Sequence, residues 1–381
     1  MTSVVNPPER TTSATLLTPR GRGAVATIAV CGVDARTIVA SRFVSATGRS
    51  LVDAPVDAIL FGRWNGPAGE EVVACPTATD EIEIHCHGGL AAAEAILDSL
   101  RACGVSDLAA DAWLARQGTG TLEVEALSQL PHARTLRTAA ILHDQSCGAM
   151  RQAIQRILAT LDYDPHLAMD DLSALVGRAD LGRHLVEPFR VVIAGPPNVG
   201  KSSLMNAIVG YERAIVFDEP GTTRDAVTVV TALDGWPVEL CDTAGVRATA
   251  EGIEWLGIER ALERLTEADC RVLVFDRSLA WTDDDAALLA SWPGAVVVHN
   301  KADLPTDAAS RPAGLATSTV TGQGVQSLIA TIIGCLVAET LEPGAAVPIT
   351  PRQTAAIDVA RDSLEHGRHE IARDALIALM S

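Results

Sequence analysis

The segment Gly195-Pro-Pro-Asn-Val-Gly-Lys-Ser202 limits the fold of this chain more than any other. An apolar run, Val191–Ala194, enters it and a helical pattern leaves it. That strand–loop–helix context is what makes the spacing GxxxxGK[ST] informative. The glycines let backbone N–H groups turn inward around phosphate oxygens, and the helix N-terminus beyond them favours anions. In this reading Asn198, Val199 and Gly200 line the cradle and Lys201 reaches the β- and γ-phosphates. Ser202 ligates Mg²⁺, and Ser203 follows on the helix. The alternative is an ordinary glycine-rich turn, and the motifs that follow in order weigh against it.

Those motifs carry the specificity. Gly221-Thr-Thr-Arg-Asp225 offers Thr222 and Thr223, the second able to sense the γ-phosphate through the metal. Asp242-Thr-Ala-Gly245 follows a strand; Asp242 holds Mg²⁺ through water and the Gly245 amide bonds the γ-phosphate. Asn300-Lys301-Ala302-Asp303 follows the strand Ala295–His299, and Ser318 joins the nucleotide contacts from beyond it. The Asp303 carboxylate accepts hydrogen bonds from guanine N1 and N2, which adenine cannot supply. A buried acceptor left unpaired costs ~1–3 kcal/mol, so such a site selects GTP over ATP. Val246 follows the second of these motifs, where a glutamine would orient the attacking water. A valine cannot do so, and the catalytic group must come from elsewhere.

With 381 residues, 48% of them apolar, the chain has room for two or three domains. No run approaches the eighteen or so apolar residues of a membrane span. Met1–Pro19 lacks the apolar stretch of a secretory signal, and Ala378 stands where a prenylation motif requires cysteine. The 8 cysteines show no CxxC spacing, which reads as free thiols in the cytoplasm. A formal charge of −18 disfavours a large nucleic-acid footprint unless basic residues cluster.

Residues up to about Arg20 read as polar and mobile. From Gly23 to Gly104 strands (Val25–Val30, Glu81–His85) alternate with a helix, Leu90–Leu100, giving a small α+β domain. Leu136, Ala140, His143, Cys147, Met150, Ile154, Ile157 and Leu161 then draw one continuous helical stripe, ended at Asp162–Pro165. His143 on that stripe reads as a packed or edge histidine. Further strands are expected at Val227–Leu233, Val238–Cys241, Val272–Phe275 and Ala295–His299, with helices among the later ones. A last helix aligns Ile357, Ala360, Leu364, Gly367, Ile371, Ala375 and Ala378, with Gly367 in its interior costing ~1 kcal/mol relative to alanine. His85-Cys86-His87 has the residue types of a zinc site, but alternate strand residues face opposite ways, so a metal is not expected. Asp283–Asp285 reads as a solvated loop or helix start.

With Asn198, Gly221–Asp225 and Gly257-Ile-Glu-Arg-Ala261 in place, Arg190–Asp276 resembles the tRNA-modification GTPase family, which helps install a carboxymethylaminomethyl-type group on wobble uridine. The resemblance reaches the N-terminal part through Thr18-Pro-Arg-Gly-Arg-Gly23 and Glu83-Ile-His-Cys-His-Gly-Gly89. It implies an α/β P-loop GTPase domain (190–338) inserted in a helical domain (126–189 and 339–381). A small α+β domain of the folate-binding type (1–125), which pairs two copies, precedes them. It also implies K⁺ in place of an arginine finger, held by Asn198 and by the loop carrying Phe217, Glu219 and Thr222. Phe217 stands where the family usually carries a hydroxyl residue. Glu254, twelve residues after Asp242, takes the family's glutamate position and orients the attacking water. From the residues alone, Glu254 is a solvated carboxylate at a helix start.

The parts for tRNA chemistry depart from the family pattern. The family's tail is Cys-Ile-Gly-Lys, whereas this chain ends Ala378-Leu-Met-Ser381. Ala29 replaces an arginine and the family's lysine falls near Thr121, in a stretch (Ser106–Leu130) that loses the usual pattern. Glu83 alone is kept. Each lost cation costs ~1–3 kcal/mol of pairing with an anionic folate, so formyl-folate is not expected. Three functions follow: a Mg²⁺- and K⁺-dependent GTPase without the modification chemistry, a retained role in wobble modification with a partner, or a GTP-responsive switch with negligible turnover.

Overall fold

The computed structural model describes residues 12–18, 23–66, 68–211, 228–242, 265–306, 311–337 and 339–381. The chain divides into two compact units, residues 1–124 and 125–381.

The first unit is built on a sheet of strands β1 (Ser13–Leu16), β2 (Val25–Cys31), β3 (Phe43–Ser45), β4 (Leu60–Trp64), β5 (Glu71–Ala78), β6 (Glu81–His87) and β7 (Ser106–Asp107). Their spatial order is β3-β4-β5-β6-β2-β1-β7. Helices α1 (Ala35–Arg42) and α2 (Leu90–Arg101) place Val39, Ile96 and Leu100 in one core with Ile28, Val30, Ile82 and Ile84. Those strand residues alternate in sequence, so one face of β2 and β6 carries the apolar contact. Ser13–Leu16 corrects the expectation of a mobile start: β1 pairs antiparallel with β2 and parallel with β7, and Ser13, Ala14 and Thr15 are buried. Small residues satisfied by strands on both sides need no apolar bulk to be ordered. In His85-Cys86-His87, Cys86 enters the core while His85 bonds Thr27 Oγ1 at 3.1 Å and His87 pairs with Glu70. Helices α3 (Ala110–Arg116) and α4 (Thr121–Gln129) occupy most of the stretch whose pattern was irregular.

The second unit opens with helices α5 (Leu136–Ser146), α6 (Ala149–Thr160), α7 (Pro165–Gly177) and α8 (Ala179–Arg183). The continuous stripe expected from Leu136 to Leu161 is broken at Gly148, whose φ is +96°. Beyond the break, Met150, Ile154, Ile157 and Leu161 are buried as the pattern requires. Before it, Leu142 and Gln145 face inward, while Leu136 is 92% exposed and His143 and Cys147 lie outside. The glycine turns the second helix by roughly one residue relative to the first.

A six-stranded sheet follows: β8 (Phe189–Ala194), β9 (Thr228–Leu233), β10 (Trp236–Asp242), β11 (Cys270–Asp276), β12 (Val296–Asn300) and β13 (Leu315–Ala316), in the order β13-β12-β11-β8-β10-β9. Every pair is parallel except β9 with β10. β8 is central and buried on both faces, which explains its unbroken apolar run. Val191 and Ile193 enter one core with helices α9 (Lys201–Tyr211) and α11 (Val325–Leu336). Val192 and Ala194 enter a second, against which Leu288 and Leu289 of α10 (Asp283–Ser291) pack. Asp283–Asp285 form the first turn of α10, where Thr282 and Asp285 make a capping box and the carboxylates suit the helix N-terminus.

Helices α12 (Pro351–Glu365) and α13 (His369–Met380) close the chain, packing on α7 and α6 respectively. Gly367 is a turn between them (φ +70°) and not the interior of one helix. Ala372, Leu376 and Leu379 face inward in place of Ile371, Ala375 and Ala378.

Candidate functional site

The loop after β8 and the ends of β10, β11 and β12 meet at the C-terminal edge of the six-stranded sheet, where parallel α/β sheets hold their ligands. The loop after β8 is tight. Gly195 has φ +148°, and a Cβ there would lie 2.1 Å from the carbonyl oxygen of Val274. Gly200 has φ +95°, and its Cβ would lie 2.5 Å from Nδ2 of Asn300. Asn198, exposed at the turn, also takes a positive φ of +64°, a conformation asparagine tolerates better than most residues.

Lys201 is buried at the start of α9, and its Nζ donates to the carbonyls of Gly195 at 2.9 Å and Pro196 at 2.8 Å. The cation thus lies inside the curve of the loop. Ser202 Oγ donates to Oδ2 of Asp242 at 2.5 Å, and Asp242 is almost fully buried at the end of β10. Two hard oxygen donors on neighbouring elements suit a small divalent cation such as Mg²⁺. Ser203 lies beside Ser202 on the exposed side of the first turn.

The segment Asn300–Asp303 is fastened to the loop directly. Asn300 Nδ2 donates to the Val199 carbonyl at 2.9 Å, and Asn300 Oδ1 accepts from Thr317 Oγ1 at 3.1 Å. Asp303 is exposed, and Ser318 Oγ donates to its Oδ1 at 2.5 Å. Lys301 forms a 2.6 Å ion pair with Asp276. Burial pushes the Asp276 carboxyl up, but hydrogen bonds from Lys301 and Ser278 outweigh it and hold the group below its ordinary value.

Asn198, Val199, Gly200, Lys201, Ser202, Ser203, Asp242, Asn300, Lys301, Asp303 and Ser318 therefore come to one edge of one sheet. Phe217, Glu219, Thr222, Thr223, Gly245 and Glu254 lie outside the described residues. Sequence reasoning missed Asp276 and Thr317. The signal for Asp276 was available: an acidic residue closing an apolar strand beside the one that ends in Asn300. Thr317 has no such signature, being visible only once β13 is paired with β12.

The 50S ribosome-binding GTPase family matches residues 190–301. Over nearly the whole chain the sequence is similar to proteins named tRNA modification GTPase MnmE. That of Prochlorococcus marinus (strain MIT 9303) is 35% identical, covering 91% of this chain and 86% of the relative. That of Geobacillus thermodenitrificans (strain NG80-2) is 32% identical over 93% and 88%. That of Chloroflexus aurantiacus (strain ATCC 29366 / DSM 635 / J-10-fl) is 32% identical over 97% and 92%. With the loop, the buried lysine and the Asp303 carboxylate assembled at one sheet edge, the chain belongs to the tRNA modification GTPase family and is a GTP-hydrolysing enzyme.

Proposed function

We propose that this enzyme hydrolyses GTP with Mg²⁺ and K⁺ and carries no tRNA-modifying chemistry of its own. The observation that carries the metal reading is the Ser202–Asp242 contact at 2.5 Å, which brings a hydroxyl and a buried carboxylate to one point below the phosphate loop. Ser202, Thr223 and Asp242 would hold Mg²⁺, which would supply positive charge to offset that on the phosphates. Asn198, with Phe217, Glu219 and Thr222, would hold K⁺, and the ion would supply the charge an arginine finger gives elsewhere. Lys201 stabilises the phosphoryl oxygens, the Gly245 amide bonds the γ-phosphate, and Glu254 orients the attacking water.

The domain plan belongs to the same proposal: an N-terminal α+β domain (1–125), a helical domain in two parts (126–189, 339–381) and the G domain (190–338) inserted between them. Formyl-folate does not fit this chain. Ala29, opposite Glu83 in the β2–β6 register, is fully buried and carries no charge, and Thr121 opens α4 where a lysine would be needed. The protein would act in the cytoplasm as a homodimer. Among the described residues no helix is long and apolar enough to cross a membrane.

The test is GTP turnover in K⁺ against Na⁺, on wild type, Asn198→Ala and Glu254→Ala. The expected result is turnover ~10–100-fold faster in K⁺, abolished as a difference by Asn198→Ala, and lost in both salts with Glu254→Ala. Equal rates in both salts would remove the potassium assignment. A Glu254→Ala enzyme as fast as wild type would favour a slow nucleotide switch, and tight binding of formyl-folate would favour a retained part in wobble-uridine modification.

A further inference from the structure

Lys301 stands between Asn300 and Asp303 with φ +63°, a left-handed backbone that a long side chain rarely adopts. Such a conformation persists when its surroundings hold it, and it marks sites where position matters. Here the hold is at the far end of the side chain. Nζ meets Oδ2 of Asp276 at 2.6 Å, and Asp276 is itself fixed. Its Oδ1 accepts from the Ser278 amide at 2.9 Å and the Ser278 hydroxyl at 2.7 Å. Its backbone carbonyl accepts from Arg311 Nη1 at 3.0 Å. The two strand ends are also joined, since the Arg277 amide donates to the Asn300 carbonyl at 2.9 Å.

Asp276 and Asn300 are register partners on adjacent parallel strands. A lysine rooted just past β12 and tied at its tip to the end of β11 therefore spans two strand ends. Its stem is thereby held at the sheet edge at both ends, in the same segment as Asp303, which Ser318 fixes in turn. A free lysine would have to be ordered each time a ring came to rest on it, and a tethered one is already in place. Burial raises the Asp276 carboxyl, but the hydrogen bonds from Lys301 and Ser278 outweigh it and hold it below its ordinary value, so the carboxylate end of the tether stays charged at neutral pH.

Resting on the guanine-nucleotide reading of the site, we propose that Asp276 is a positioning residue for the nucleobase: by holding Lys301 it sets how tightly any purine ring is bound, while Asp303 sets which purine. The two roles separate with inosine diphosphate, which lacks the 2-amino group of guanine and so makes one contact fewer to Asp303 but offers Lys301 the same ring.

Binding of GDP and inosine diphosphate to the full chain is measured for wild type, Asp276→Asn, Lys301→Met and the double variant. Asp276→Asn weakens both ligands by about tenfold, the scale of one lost charge-assisted contact, and leaves their affinity ratio unchanged. Lys301→Met keeps most of the stem but loses the tether, and weakens both ligands in equal measure. The double variant is no weaker than the worse single one, because each change breaks the same link. Wild-type affinity in Asp276→Asn, a changed GDP-to-inosine-diphosphate ratio, or losses that multiply in the double variant would each overturn the proposal. If Asp276→Asn does not fold, Lys301→Met, at a side chain one-third exposed, decides it by the same equal-loss criterion. A wild-type chain that binds no GDP would instead overturn the guanine-nucleotide reading beneath it.

Discussion

Gly200 has no room for a side chain. With φ +95° and Asn300 Nδ2 lying 2.5 Å from where a Cβ would sit, an added methyl both strains the loop and displaces the amide that holds it to the segment Asn300–Asp303. Gly200→Ala is expected to weaken GDP binding by ~2–3 kcal/mol, about 30- to 150-fold, with the circular-dichroism spectrum unchanged. Wild-type affinity would show that the Asn300–Val199 link is dispensable. His184 gives a residue-level prediction on stability. Burial pushes its imidazole below the ordinary value of 6.5, against a weaker pull from Asp269, and its ring stacks on Phe189 at 3.8 Å. Burial lowers His299 likewise. Because the folded state binds these protons less readily, the unfolded chain takes them up first as pH falls below about 6.5. Stability is therefore full above that pH and declines through the window between the unfolded and folded values. Thermal melts should give a flat Tm from pH 8 to 7 and a falling one below, with a shallower fall in His184→Gln. An identical slope in that variant would remove His184 from the account.

At the scale of elements, glycine turns decide which faces are buried. A period of three and four runs through Gly148 and through Gly367 without a gap, so the sequence reads as two long helices where the structure breaks each into two. Each glycine takes a positive φ, which no periodicity count registers. The consequence is visible in single residues: Ile357, Ala360 and Leu364 are buried as the stripe requires, but Ala372, Leu376 and Leu379 replace Ile371, Ala375 and Ala378. Gly367→Ala separates the two pictures. Inside one helix it would stabilise by ~1 kcal/mol, whereas at φ +70° with open space around it the same change should destabilise by ~1–2 kcal/mol. A raised Tm would contradict the turn. The strands were easier to read, since β8, β10 and β12 each run straight into a motif. β1 was not, because its small polar residues are ordered by neighbours distant in sequence.

At the scale of the whole molecule, the nucleotide site was legible because its chemistry is local: phosphate needs glycines and a lysine, guanine needs a carboxylate, and each comes as a short string. Asp276 showed as an acidic residue closing an apolar run, but its meeting with Lys301, like that of Thr317 with Asn300, is set by strand pairing. The pairing of two copies is a prediction at this scale, resting on family membership. Light scattering should give twice the chain mass of 39.9 kDa with GDP and with a transition-state mimic of GTP, and a monomer in both would remove it. The most direct test of the account is calorimetric titration of GDP and ADP into the wild-type chain in Mg²⁺. One GDP should bind per chain with no detectable heat from ADP, and Asp303→Asn should abolish that preference by removing the carboxylate that reads guanine. Equal uptake of the two nucleotides, or none of GDP, would contradict it.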